Sequence, residues 1–177
     1  MAARTFETIL IPGLLQTEDY AREIVGSVPP APGTSRDVDQ LLAVRMARQD
    51  VLTGSHPLQL WAVIGEAALR HRIGGRDGMR SQLRKLVEVA ALDHVTVQVL
   101  PFAAGTHAGV DGPFTVLEFP LFGDLDVVHV GNLTGALYLE SEAEIRRYNL
   151  VFDHLRASGY PEADSLRLIA QVATDLQ

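Results

Sequence analysis

Leu58-Gln-Leu-Trp-Ala-Val-Ile64 is short, bulky and β-branched, and Glu66-Ala-Ala-Leu-Arg-His71 and the Gly74-Gly75 break follow it closely. The first stretch reads as a strand and the second as a short helical turn ended by glycine. The residues before Leu58 have a helical period, so this is where the chain ceases to be all-helical.

Toward the N-terminus, the first 55 residues read as helical with one linker. Thr17 is placed to cap a helix with Glu18 and Asp19 in its first turn and Tyr20, Ala21, Ile24 and Val25 on its apolar side. Pro29-Pro30-Ala-Pro32-Gly33 stops it. A second helix is predicted from about Ser35 to Thr53, with Val38, Leu41, Leu42 and Met46 inward. Toward the C-terminus, Met79, Leu83, Leu86, Val87 and Ala90 mark a helix over about 77–92. Strand signals follow at 95–100, 114–119, 126–130 and 136–139. Ser141-Glu-Ala-Glu144 is a capping box opening another helix, Gly159 closes it, and Pro161 sits where a last helix begins. The expected fold is α/β (α+β): an about five-stranded, mixed, partly antiparallel sheet packed with five or six helices on one face, forming a single domain over 1–177.

Composition narrows the function classes. The 177 residues hold 15 Lys and Arg against 22 Asp and Glu, a formal charge of −7, and no Cys. A chain of this length buries roughly 70% of its unfolded surface, so one core needs no staples. Without Cys there are no disulfides, thiolate nucleophiles or Cys-ligated metals. The acidic balance lacks the basic footprint of nucleic-acid binding, so no direct nucleic-acid contact is expected. No apolar run approaches the ~18 residues that span a bilayer, and a cytoplasmic location without membrane association is the expectation. Histidines 56, 71, 94, 107, 129 and 154 show no close ligand spacing, so neither a metal nor a cofactor is expected. The Gly-x-Ser-x-Gly elbow, the phosphate loop and the dinucleotide fingerprint are all missing.

The most unusual segment is the glycine-rich connection Pro101 to Pro113, longer than a hairpin needs. His107 and Asp111 lie four residues apart in it, and a folded-back loop would bring an imidazole and a carboxylate to one ligand. The plainer reading is a wide glycine turn with a surface His. Glu66 directly follows the Trp61 strand and either points into a cleft or partners its helix dipole. Arg45 and Arg48 read as surface ion-pairing groups or as receivers of an anion. His129 lies among apolar strand residues, as a core or pocket-wall group. The expected pocket lies between the sheet and the 103–112 loop, walled by Trp61, Phe102, Phe114 and Tyr138.

Several blocks together resemble one family. Ile11-Pro-Gly-Leu-Leu-Gln-Thr-Glu-Asp-Tyr-Ala21, Arg45-Met-Ala-Arg-Gln49, Leu60-Trp-Ala-Val, Glu66-Ala-Ala-Leu, Val95-Thr-Val-Gln-Val-Leu-Pro-Phe102 and Gly112-Pro-Phe-Thr-Val-Leu-Glu-Phe-Pro120 resemble the effector domain of actinobacterial, antitoxin-like Xre-type regulators. That domain is itself of unknown function. The resemblance implies a module that binds a small-molecule ligand or a small partner protein while a preceding helix-turn-helix, expected to be absent from this chain, binds DNA. Compared with that family, Gly65 stands where an acidic residue is more usual, and His129-Val-Gly-Asn132 replaces a Tyr-x-Glu-Gly pattern.

Two readings of function follow. In the first, the chain is a binding module using Trp61, Glu66, Phe102, His107, Asp111, Phe114, His129 and Tyr138. In the second, it is a standalone enzyme performing acid/base cyclisation or isomerisation of a biosynthetic intermediate, with His107, His129, Glu66 and Asp111 as the candidate groups. An exposed apolar helix stripe leaves a homodimer interface as a further expectation.

Overall fold

The computed structural model describes residues 1–30, 35, 37–119 and 126–176. Six strands, β1 (Ala2–Glu7), β2 (Gln59–Gly65), β3 (Val95–Leu100), β4 (Phe114–Glu118), β5 (Val127–Asn132) and β6 (Gly135–Leu139), form one sheet in the order β3-β2-β1-β4-β5-β6. The helices are α1 (Glu18–Ser27), α2 (Val38–Ala47), α3 (Glu66–Arg70), α4 (Gly75–Val89), α5 (Glu142–Ser158) and α6 (Glu162–Asp175). The α/β class and the mixed sheet are as expected, with one strand more. Part of the proline-rich linker, 31–34, lies outside the described residues.

The additional strand is β1, in a region that reads as helical. It occupies the middle of the sheet, parallel to β2 and antiparallel to β4, so it joins a parallel half to an antiparallel half. Its weak signal has a simple cause. Ala2, Ala3, Arg4 and Thr5 carry little apolar bulk, and only Phe6 is a large hydrophobe. Buried between two neighbours, the strand is held by its ladders rather than by its own side chains.

Alternation along the strands separates two faces. Ala3, Leu60, Ala62, Ile64, Val95, Val97 and Val99 turn to one side, where α1, α4 and α6 bury them with Tyr20, Met79, Leu83, Leu86 and Ile169. Phe6, Val63, Phe114, Val116 and Val128 turn to the other, under Ile145, Phe152 and Leu155 of α5. Helices therefore cover both faces, not one. The loops between β1, β2 and β3 are long enough to cross the sheet on the α4 side, whereas α5 follows the β4-β5-β6 meander and returns beneath it.

Local signals set the helix ends. Thr17 Oγ1 accepts from Tyr20 N–H, and Ser141 Oγ accepts from Glu144 N–H. Asp37 caps α2, which ends at Ala47 and continues as a tight 3-10 turn over 48–52. Leu42 is buried there, but Leu41 faces outward, contrary to expectation. On the α5 side, the 101–113 connection folds back over the sheet so closely that a Cβ on Gly109 would sit 2.3 Å from the Phe6 ring.

That approach makes Phe6 and Gly109 a coupled pair. Phe6→Ala is expected to cost about 3–5 kcal/mol by denaturant unfolding. Gly109→Ala should destabilise the native chain but have a much smaller effect in the Phe6→Ala background. Additive costs in that double-mutant cycle would contradict the contact.

Candidate functional site

On the α4 side the helical cover is incomplete. β1 presents Thr5 and Glu7 on the same face as Thr115 and Leu117 of β4 and His129 of β5. Here the sheet meets Pro12-Gly13-Leu14 and, from α2 and its 3-10 extension, Arg45 and Arg48. The space between them is a cavity of about 260 Å³. Ala3, Leu14, Leu58, Leu60 and Leu117 form its apolar wall, and Glu7, Arg45, Arg48, Thr5, Thr115 and His129 supply the polar groups.

Its roof is the segment 11–17, a 3-10 turn over Gly13–Leu15 with non-helical flanks, held by side chains from three helical elements. Gln16 Nε2 donates to Ile11 O at 2.7 Å, and Arg45 Nη1 donates to Gln16 Oε1 at 3.0 Å. Gln49 Nε2 donates to Gly13 O and Gln16 O at 3.1 and 2.8 Å. Lys85 Nζ donates to Gln16 O at 2.7 Å and to Gln49 Oε1 at 2.8 Å. Gln82, fully buried, donates to Leu15 O and accepts from Thr17 N–H, both at 2.7 Å. Buried backbone groups without such partners would cost about 1–3 kcal/mol each. Burial also pushes the Lys85 ammonium below its usual pKa.

Glu7 is the electrostatic centre of the cavity. Burial raises its pKa to about 7, against the opposing pull of the Arg45 charge. Tyr20, whose hydroxyl accepts from Ile11 N–H at 3.1 Å, is pushed up by burial, with a smaller contribution from Glu7. Arg48 stands at the cavity with no hydrogen bond or ion pair from any described residue. A neutral or half-ionised carboxyl beside two permanent cations makes this a positive pocket on an acidic protein.

The residues singled out from sequence are dispersed. His129 lines this cavity, with the exposed Tyr138 ring 5.3 Å from it. Glu66, Phe102 and His107 line a smaller cavity of about 160 Å³ at the ends of β1, β2 and β3. There Glu66 is already engaged: Oε1 accepts from Arg70 Nη2 at 2.8 Å and Oε2 from Phe102 N–H at 3.0 Å. His107 Nδ1 accepts from Gly109 N–H at 3.1 Å, and its ring meets Phe6 edge-on. Asp111 and Phe114 line a third cavity, of about 350 Å³, with Arg147 and Tyr148 of α5. Trp61 belongs to the α5 core, its Nε1–H donating to Gln98 Oε1 at 2.8 Å with the Arg156 guanidinium 4.9 Å above its ring.

Trp61, Phe102, Phe114 and Tyr138 therefore do not wall one pocket, and His107 and Asp111 do not converge. The 101–113 loop packs on the α5 side, where it borders the 350 Å³ cavity with Phe114, Val130 and Leu139 of the sheet, and the cavity holding Glu7 opens on the other. Glu7, Thr5 and Thr115 were missed. Once 2–7 is read as a strand, period-two alternation places Ala3, Thr5 and Glu7 on one face, which was the available signal. Arg45 and Arg48 prove to be cavity residues.

Among the described residues, no group of three or more His, Asp or Glu is placed to hold a metal ion, and no helix is long and apolar enough to cross a membrane. Comparison with known families matches residues 2–171 to a domain of unknown function, DUF5753. No curated protein and no solved structure matches.

The raised Glu7 pKa sets a stability profile. The folded chain holds this proton more tightly than the unfolded chain, so the contribution is complete below about pH 4.5 and is lost as pH rises through about 7. Glu7→Gln should match the native chain at pH 4 and exceed it in urea midpoint at pH 8. Equal midpoints at both pH values would mean that Glu7 is solvated.

Proposed function

The chain belongs to the DUF5753 family, and from that membership we propose that it is the small-molecule-binding effector module of an Xre-type regulator. The cavity beneath Pro12-Gly13-Leu14 is its ligand site, and DNA contact is left to a separate helix-turn-helix. The observation that carries this reading is the cavity itself. It is preformed, mixes an apolar wall with a few convergent polar groups, and has a roof fixed by a hydrogen-bonded clamp. Two of the sequence blocks that carry the resemblance, 11–21 and 45–49, meet in that roof and clamp. A protein partner would instead call for a broad exposed face, and the polar groups here point into a recess.

A second reading has one observation in its favour. A carboxyl with a pKa of about 7, in a cavity shared with Arg45 and His129, is suited to taking and returning a proton near neutral pH. An isomerisation or cyclisation in this cavity would use Glu7 as that group, with His129 as its neighbour.

Native mass spectrometry after incubation with a metabolite extract tests both. The binding reading expects a small noncovalent adduct on the native chain that is lost from folded Leu117→Trp, which fills the cavity, and reduced in Arg48→Glu. An adduct unchanged by both substitutions, or no adduct, overturns it. If chemistry also occurs, the compound released from Glu7→Gln should differ in chromatographic retention from that released from the native chain, at equal mass for an isomerisation or a cyclisation by internal addition and heavier by one water where ring closure expels water. Identical retention excludes isomerisation or cyclisation by Glu7.

A further inference from the structure

We propose that the ligand of this cavity is an apolar monoanion, a carboxylic acid with a hydrophobic body, seated between the Arg45 and Arg48 guanidinium groups and the apolar wall of the sheet, with its carboxylate beside Glu7. This rests on the cavity being the ligand site and adds the class of ligand and the way pH governs it.

Charge and shape carry the argument. The protein has a formal charge of −7, yet the fixed charges on this cavity are the guanidinium groups of Arg45 and Arg48. With Glu7 neutral the lining carries two positive charges, and with Glu7 ionised it still carries one. The site is therefore positive in either state and favours an anion over a cation. Arg45 is tied to Gln16, so its charge is fixed in place. Arg48 has no described partner and offers a planar fork to a carboxylate. On the opposite wall, Ala3, Leu58, Leu60 and Leu117 accept an apolar body. A strongly hydrated, multiply charged anion would leave that wall unmatched.

Glu7 makes binding respond to pH. Arg45 on α2 and Tyr20 on α1 act on it electrostatically, and Arg48 on the 3-10 turn and His129 on β5 line the same cavity. An incoming carboxylate beside an ionised Glu7 meets like charge, whereas a protonated Glu7 donates a hydrogen bond to it. Binding is thus strongest while Glu7 keeps its proton and the ligand is still ionised, and it weakens as pH rises past about 7. His129 lines the same cavity, so its substitution is the control for Glu7.

Three ring compounds of nearly the same shape separate the possibilities: benzoate, benzamide and benzamidinium, titrated calorimetrically with binding located on methyl NMR spectra. The expected order is benzoate first, then benzamide, then benzamidinium, with shifts at Leu14, Leu58 and Leu117. Benzoate Kd should rise toward tenfold per pH unit between pH 7 and 9. Glu7→Gln should flatten that rise, and His129→Gln should keep it. Arg48→Ala, at an exposed position, should weaken benzoate at least tenfold and benzamide by much less. Equal or tighter binding of benzamide or benzamidinium overturns the ligand class while leaving the cavity as the site. A pH dependence that survives in folded Glu7→Gln overturns the role of Glu7. If none of the three binds, or the shifts fall away from these leucines, the ligand-site reading fails and the inference falls with it.

Discussion

The double ladder of Ala2–Glu7 is the constraint on which the rest of this structure depends. β2 and β3 run parallel to β1, and β4, β5 and β6 form an antiparallel meander. Among the described strands only β1 hydrogen-bonds to both halves. Without it the chain would hold a two-stranded parallel ribbon and a three-stranded meander, each with an open edge and one poorly covered face. Its small side chains suit this position, because α4 and α6 must approach one face while Phe6 fills the other against Gly109 and Phe114.

The same strand creates the cavity. Ala3, Thr5 and Glu7 all face it, Ala3 in the apolar wall and Thr5 and Glu7 among the polar groups. Thr5 Oγ1 is 2.9 Å from Thr115 Oγ1, so it is satisfied across the strand pair. Glu7 has no such strand partner, and its surroundings are a hydrophobic wall and the field of Arg45. Desolvation outweighs that attraction, which is why its carboxyl titrates near neutrality. On the opposite face Arg4 reaches Glu118 at 2.7 Å and Asn149 of α5 at 3.0 Å, securing the far side of the same strand.

The polar clamp over residues 11–17 explains how a single short turn with non-helical flanks can roof a cavity. Gln16, Gln49, Gln82 and Lys85 satisfy carbonyls and an amide that neither a helix nor a strand would pair. The amide groups act as both donors and acceptors, so one residue bridges two backbone sites. Arg45 belongs to the clamp through Gln16 and to the cavity through its charge. Scaffold and site are thus built from the same residues.

The sequence by itself determined the α/β class, five of the six strands, the Thr17 and Ser141 caps and the glycine breaks. These depend on local period and local hydrogen bonding, which are written in consecutive residues. It did not reveal β1, because a central strand of small residues is specified by its neighbours rather than by its own composition. It marked Arg45, Arg48 and His129 but not what they face, and it did not single out Glu7. Only the tertiary structure decided those points. Glu7 and Arg45 are 38 positions apart in sequence, and Thr115 and His129 arrive on other strands. Their meeting depends on strand order, and the pKa of a carboxyl depends on what surrounds it in space. The separation of His107 from Asp111 has the same origin: four residues of spacing permit convergence, but the packing of Gly109 on Phe6 directs the two side chains to different cavities.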